Sequence, residues 1–182
     1  MGLFTPGSSV DELAICERLK ISRMLLRGCF YNEVSWQDFD DIFPIIAVLE
    51  GRCALEVASN AGNADFQALQ VLHYRQQAQA KAGHVKEYYA INFTIYEAII
   101  LLANNRWLSR SIADLRKILK LSRLQSLRVP GRLTQSQSEH MTVFAVLKSR
   151  DSGCADSSLR FHLSRQRYAL RTLQGQQSRL TP

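Results

Sequence analysis

The chain has 182 residues, 46% of them hydrophobic, and a formal net charge of +7, enough for one good-sized domain with a small appendage. The charge is split, with 8 Lys/Arg against 12 Asp/Glu in residues 1–105 and 15 against 4 in residues 106–182, so the second half either attracts nucleic acid or anionic ligands or consists of solvated helix faces. No apolar run reaches the roughly 18 residues of a membrane span, the start MGLFTPGSSVDEL does not read as a secretory signal, and Cys16, Cys29, Cys53 and Cys154 form no CxxC pair, so a cytoplasmic protein with idle thiols and no membrane partner is expected.

Residues 1–34 come first and differ from the rest. Pro6-Gly7 signals a turn. Asp11 can cap a short helix with Ile15, Cys16 and Leu19 inward, and Ser22 can cap a second that runs Arg23, Met24, Leu25, Leu26, Arg27. Two short helices joined by a tight turn, with Ser-Arg opening the second, form a helix-turn-helix pattern. A helix N-terminus and a hydroxyl can hold a phosphate, and arginines can read guanine edges. Ser22, Arg23 and Arg27 are therefore the candidate DNA contacts, while an ordinary helical hairpin with arginines in water has the same spacing.

From Ser35 the pattern is almost wholly helical. Ser35 with Asp38 suits a capping box, and Trp36, Phe39, Ile42 and Phe43 give an apolar side. Pro44 either kinks that helix or begins another, with Ile45, Val48, Leu49, Cys53, Leu55 and Val57 continuing inward to a stop at Asn60-Ala-Gly62. Asn63 starts the next helix, burying Phe66, Leu69, Leu72 and Tyr74, and its polar tail RQQAQAKAG is expected outside.

The stretch Tyr88–Leu108 organises the chain. Val85, Tyr88, Ile91, Ile95, Ile99 and Leu102 recur at helical spacing, and Asn104-Asn105 ends the run. Asn92 and Tyr96, at i and i+4, point from the same side of the helix and need partners when buried; His140 and His162 on later helices can supply them. An amphipathic helix follows with Trp107, Leu108, Ile112, Leu115, Ile118 and Leu119 inward and Ser122 at the next inward place, broken by Val129-Pro130-Gly131. Ser136 and Glu139 suit a second capping box, ahead of a core face of Val143, Phe144, Val146 and Leu147. The last helix spans about 155–174 and buries Leu159, His162 or Leu163, Tyr168, Leu170 and Leu173, leaving 176–182 as a frayed tail.

The segment PGSSVDELAICERLKISRMLLR resembles the helix-turn-helix of the GntR family of bacterial transcription regulators, with Pro6, Gly7, Glu12, Leu19, Ser22, Arg23 and Arg27 on that family's pattern. In the family the second helix is longer, and a third segment and a β-hairpin wing follow it. Here Arg27 runs almost directly into GCFYNEVS, which resembles the wing's last strand, so the resemblance implies an internally deleted, N-terminally shortened DNA-binding domain over residues 1–34. Residues 36–175 resemble the fatty-acid-regulator-like (FCD) effector domain of that family. The likeness rests on Leu49-Glu50, on NFTIYEAIILLANNRWL, on Glu139-His140 and on His162-Leu163.

Many FCD members bind a divalent metal through an Asp and a His at i, i+4 and one His from each of two later helices, and the metal holds a carboxylate-type effector. His140 and His162 match the later histidines, but the Asp and the first His are Asn92 and Tyr96 here. The resemblance then implies an effector pocket of Asn92, Tyr96, His140 and His162. Its metal site is incomplete, and His140 and His162 would hold zinc or nickel weakly at most. An Arg that the family often carries four residues before the Glu of Leu-Glu is Ile46; Arg52, Arg106 and Arg116 are alternative anion partners.

The expected fold is therefore all-α: an antiparallel bundle of about six to seven helices over 35–175 with a short helix-turn-helix remnant at 1–34. The expected function is a homodimeric DNA-binding regulator controlled by a small carboxylate-type effector, with weakened DNA binding. The alternative is a degenerate ligand-binding or dimerisation module that has lost specific DNA binding. No phosphate loop, HExxH or GxSxG is present, and no enzyme activity is expected.

Overall fold

The computed structural model describes residues 35–177, and every regular element among them is an α-helix. The helices are α1 (Trp36–Asn60), α2 (Asn63–Lys81), α3 (Val85–Leu102), α4 (Arg106–Ser126), α5 (Arg132–Lys148) and α6 (Ser152–Gln177). The expected all-α bundle is the observed fold. The helix-turn-helix reading of residues 1–34, including Ser22, Arg23 and Arg27, lies outside the described residues, as does the frayed-tail reading of residues 178–182.

Local chemistry sets the helix ends. The Asp65 carboxylate accepts from the Gly62 amide at 2.8 Å at the start of α2. The Asn105 side chain accepts from the amides of Trp107 and Leu108, both at 3.1 Å, and so caps α4. Asp151 Oδ1 accepts from Cys154 at 2.9 Å at the start of α6. Gly83 (φ 72) and Gly131 (φ 75) take the left-handed conformation in two of the turns, where a Cβ would be strained. Ser136 is not a cap: α5 begins a turn earlier, after Gly131, and Ser136 is buried inside it. The first helical residue, Arg132, is itself buried and reaches forward to Glu139 at 2.8 Å.

Short loops fold α2 onto α3 and α5 onto α6 as antiparallel hairpins. The pairs α2–α3, α3–α4, α4–α6, α6–α5 and α5–α2 all pack, so five helices close a ring. Helix α1 is tied to that ring by side chains. Asp40 accepts from Arg167 at 2.8 Å and from Arg171 on α6. A Cβ at Gly51 would collide with the Asp156 carboxylate and the Arg160 side chain, so the glycine permits a close α1–α6 approach.

Two phases differ from expectation. α1 runs through Pro44 as a single helix, and its inward stripe is Phe43, Ile46, Glu50, Cys53, Ala54, Val57 and Ala58, leaving Ile45 and Val48 exposed. The stripe keeps helical period, but a glutamate and small residues disguise it. On α2, Tyr74 is exposed and the polar tail is not wholly outside, because Gln76 is buried. Trp107, Ile118 and Tyr168 also face solvent, while the polar Arg116, Ser122, Arg123 and Gln166 are buried on the same two helices.

Candidate functional site

On α3 the residues Tyr88, Asn92 and Tyr96 follow one another at i+4 and are all buried. The Tyr88 hydroxyl donates to Ser136 Oγ at 2.9 Å, and Gln76 Nε2 donates to Asn92 Oδ1 at 3.2 Å. The Tyr96 hydroxyl has no partner among the described residues. Burial pushes both phenols well above their usual range, so each remains a neutral hydroxyl near neutral pH.

Behind Tyr96 stand the histidines. His140 and His162 pack edge to face with ring centroids 4.6 Å apart, and Tyr96 lies 5.6 Å from His140 and 6.3 Å from His162. Both His140 and His162 come from the helices that the sequence indicated. His73 joins them, 6.0 Å from His140 and 4.7 Å from Phe144. Sequence reading missed it, although it continues the Phe66–Leu69 stripe of α2 through to Gln76. Burial lowers the pKa of all three, that of His73 to about 4, and His140 is lowered further by its imidazole neighbours.

Glu139 orients His162. Its Oε2 accepts from His162 Nδ1 at 2.6 Å and from Arg132 Nη2 at 2.8 Å. A neutral His162 then carries its proton on Nδ1, the tautomer that the carboxylate selects. Burial alone would raise the pKa of Glu139, but the His162 and Arg132 bonds outweigh it and hold it below the usual carboxylate value.

A second buried carboxylate joins α1 to α4. Glu50 Oε1 accepts from Arg116 Nε at 2.9 Å and from Arg123 Nη2 at 3.1 Å. Burial would raise Glu50, and the two guanidiniums overcome it to keep the group ionised. Their planes also meet Tyr96, with the Arg116 Cζ 4.5 Å and the Arg123 Cζ 5.6 Å from its ring centre. Of the three arginines that the sequence offered, only Arg116 faces in. Arg52 is exposed beside Glu56, and exposed Arg106 lies over Trp107. The place at which the family often has an arginine holds fully buried Ile46, and α4 supplies the guanidiniums instead.

Between α3 and α4 runs a cavity of about 510 Å³ whose walls include Asn92, Tyr96, Phe93, Ile100, Arg116 and Arg123. Asn92 and Tyr96 thus line an open groove, while His140 and His162 are not on its wall and sit in the interior behind Tyr96.

As donors for a metal ion the four residues are poorly matched. Asn92 Oδ1 already accepts from Gln76, Tyr96 is a neutral phenol between two guanidiniums, and His162 Nδ1 is bonded to Glu139. Among the described residues no group of three His, Cys, Asp or Glu side chains is placed to hold an ion. Two imidazoles beside buried arginines do not fit a divalent cation. Calorimetry with zinc and nickel is expected to show weak binding at most, and Asn92→Asp with Tyr96→His to strengthen it. Nanomolar binding by the unaltered chain would contradict this.

The model of the FCD domain matches residues 41–165. Among solved structures, E. coli McbR/YncC superposes with a TM-score of 0.76 at 20% identity, covering 94% of this chain and 91% of that one. Listeria monocytogenes Lar, described as controlling the expression of the agr system, gives 0.70 at 10% identity over 93% and 89%. Streptococcus agalactiae GntR gives 0.64 at 12% identity over 90% and 90%. No curated protein matches the chain.

Proposed function

Because this chain belongs to the FCD-domain family over residues 41–165, we propose that it is a GntR-family transcription regulator, not an enzyme, in which a small carboxylate-type effector bound in the helical bundle modulates DNA binding. The observation that carries the reading is the extent of the family match, which encloses Glu50, the α3 stripe and both His140 and His162. The same overall fold in a Streptococcus agalactiae GntR supports it. In this reading Ser22, Arg23 and Arg27 contact DNA, and the bundle pairs two copies in a cytoplasmic homodimer. Pairing raises the affinity of two weakened DNA-binding segments through effective concentration. No described helix is long and apolar enough to cross a membrane.

Fluorescence anisotropy with palindromic and scrambled duplexes, at two salt concentrations, tests the proposal. The expected result is modest, salt-sensitive binding to DNA that falls in Arg23→Ala. Binding that is indifferent to Arg23, or no binding at all, would favour the alternative of an effector-binding or dimerisation module without specific DNA recognition.

A further inference from the structure

Along α4 the cations Arg106, Arg110, Lys117 and Lys120 follow one another at spacings that set them on one side of the helix. All four are exposed, as is Arg128 in the turn that follows. From Arg106 to Lys120 the stripe is about 21 Å long at the rise of an α-helix. On α1 and α6 the arginines at the surface stand beside carboxylates: Arg52 by Glu56, Arg160 by Asp156, Arg165 by Glu139, and Arg167 and Arg171 by Asp40. Among the described residues, only Lys117 of the α4 stripe has such a partner, Asp114 at 2.8 Å. Arg106 lies over the Trp107 ring, which leaves its charge uncompensated. Buried Arg116 and Arg123 belong to Glu50 and take no part in the stripe. The carboxylates on this side are Asp114 and, on the α3 wall of the groove, Glu97, so five exposed cations stand against two acids.

We propose that this side of α4 is a second DNA-contact surface, on which Arg106, Arg110 and Lys120 hold the phosphate backbone of a duplex without reading its sequence. Over about 21 Å of duplex one strand presents roughly six phosphates, a regular row of charge that matches the length of the stripe. Ser109 and Ala113, between the cations on the groove side, are small and let a backbone come close. Cations that meet phosphates release the counterions condensed on DNA, which is the source of the attraction. Such contacts add affinity and fix position, and leave base reading to other residues. The proposal rests on the regulatory reading for the choice of DNA as the polyanion. To that reading it adds phosphate contacts from the effector domain, beside those assigned to Ser22, Arg23 and Arg27.

Fluorescence anisotropy of the full chain on palindromic and scrambled duplexes, across a series of salt concentrations, is the direct test. The triple variant Arg106→Gln, Arg110→Gln, Lys120→Gln should flatten the plot of log affinity against log salt by about 2.7, the share of three phosphate contacts. Its affinity should fall about tenfold or more on both duplexes alike, with the helical spectrum kept, since all three residues are exposed. A control triple, Arg75→Gln, Lys81→Gln, Lys148→Gln, removes the same charge from exposed positions on α2 and α5, which are not neighbours of α4 in the ring. Its slope should stay within about one contact of the parent's. An unchanged slope in the α4 variant would make the stripe an ordinary solvated face and overturn the proposal. An equal loss in both triples would do the same, by assigning the effect to net charge, as would a parent chain that binds neither duplex. Competition by poly-glutamate as effective as that by duplex would give the surface to an acidic protein instead. Arg23→Ala separates the two readings. If it changes nothing while the α4 triple loses binding, the role of Arg23 fails and this proposal stands; the reverse pattern sinks this proposal alone.

Discussion

Replacing Glu50 by alanine is expected to destabilise the protein by about 3–5 kcal/mol, because it leaves two buried guanidiniums without their carboxylate. Glu50, Arg116 and Arg123 are 1%, 8% and 4% exposed, so water cannot take over the lost role at low cost. The bond network spans α1 and α4, and its loss loosens the tie between α1 and the ring. For a chain of this size the thermal midpoint should drop on the order of 10 °C. Glu50→Gln should cost nearly as much, since the surplus positive charge is the main penalty. Replacing Glu50 with Leu and both arginines with Met removes the charges together, and much of the stability should return. Thermal melts followed by circular dichroism decide the matter. A loss under about 1 kcal/mol in the alanine variant would mean that the cluster is solvated in solution.

This cluster marks where the sequence stopped being legible. Helix number, order and most ends could be read, because stops such as Asn104-Asn105 and breaks such as Gly131 are local signals. Spacing put Asn92 and Tyr96 on one side of α3, and both are buried there. The burial of Arg123, Arg132 and Gln76 was not readable. Each is polar, and each is buried beside a partner that apolar periodicity does not register: Glu50 for Arg123, Asn92 for Gln76, and Glu139 two turns along its own helix for Arg132. Periodicity registers apolar stripes, whereas the burial of a polar group is decided by who can bond to it. Ser122 shows the converse case. It stands at the expected inward place and tolerates burial because its hydroxyl donates to the Leu119 carbonyl at 2.8 Å within its own helix. His73 was overlooked for a similar reason, since its value to the fold lies in stacking on Phe144 beside His140, contacts that only the packing of α2 on α5 creates.

The three interior histidines should make the protein lose stability as the pH falls below about 6.5. Burial lowers the pKa of His73 to about 4, and lowers those of His140 and His162 as well. A histidine with a depressed folded-state pKa binds its proton more readily in the unfolded chain. Its contribution is therefore complete above the unfolded value and is lost as pH falls from there toward the folded one. For His73, moved from the ordinary 6.5 to about 4, roughly 2 kcal/mol is lost by pH 5. His140 and His162 add to the slope in the same direction, with Glu139 opposing the effect at His162 through its hydrogen bond. The buried carboxylates Glu50 and Glu139 have lowered pKa values, so their losses set in as the pH falls through the ordinary carboxylate range and continue below it, which leaves the window between about pH 6.5 and 5 to the histidines. Urea unfolding at steps through that window measures the slope. In His73→Phe the ring can keep its stack on Phe144 while the two unpartnered nitrogens are gone. The variant should match or exceed the parent in stability at neutral pH and lose about 2 kcal/mol less on going to pH 5. An unchanged slope in His73→Phe would show that the ring already titrates freely in the folded protein, with water reaching it between α2 and α5.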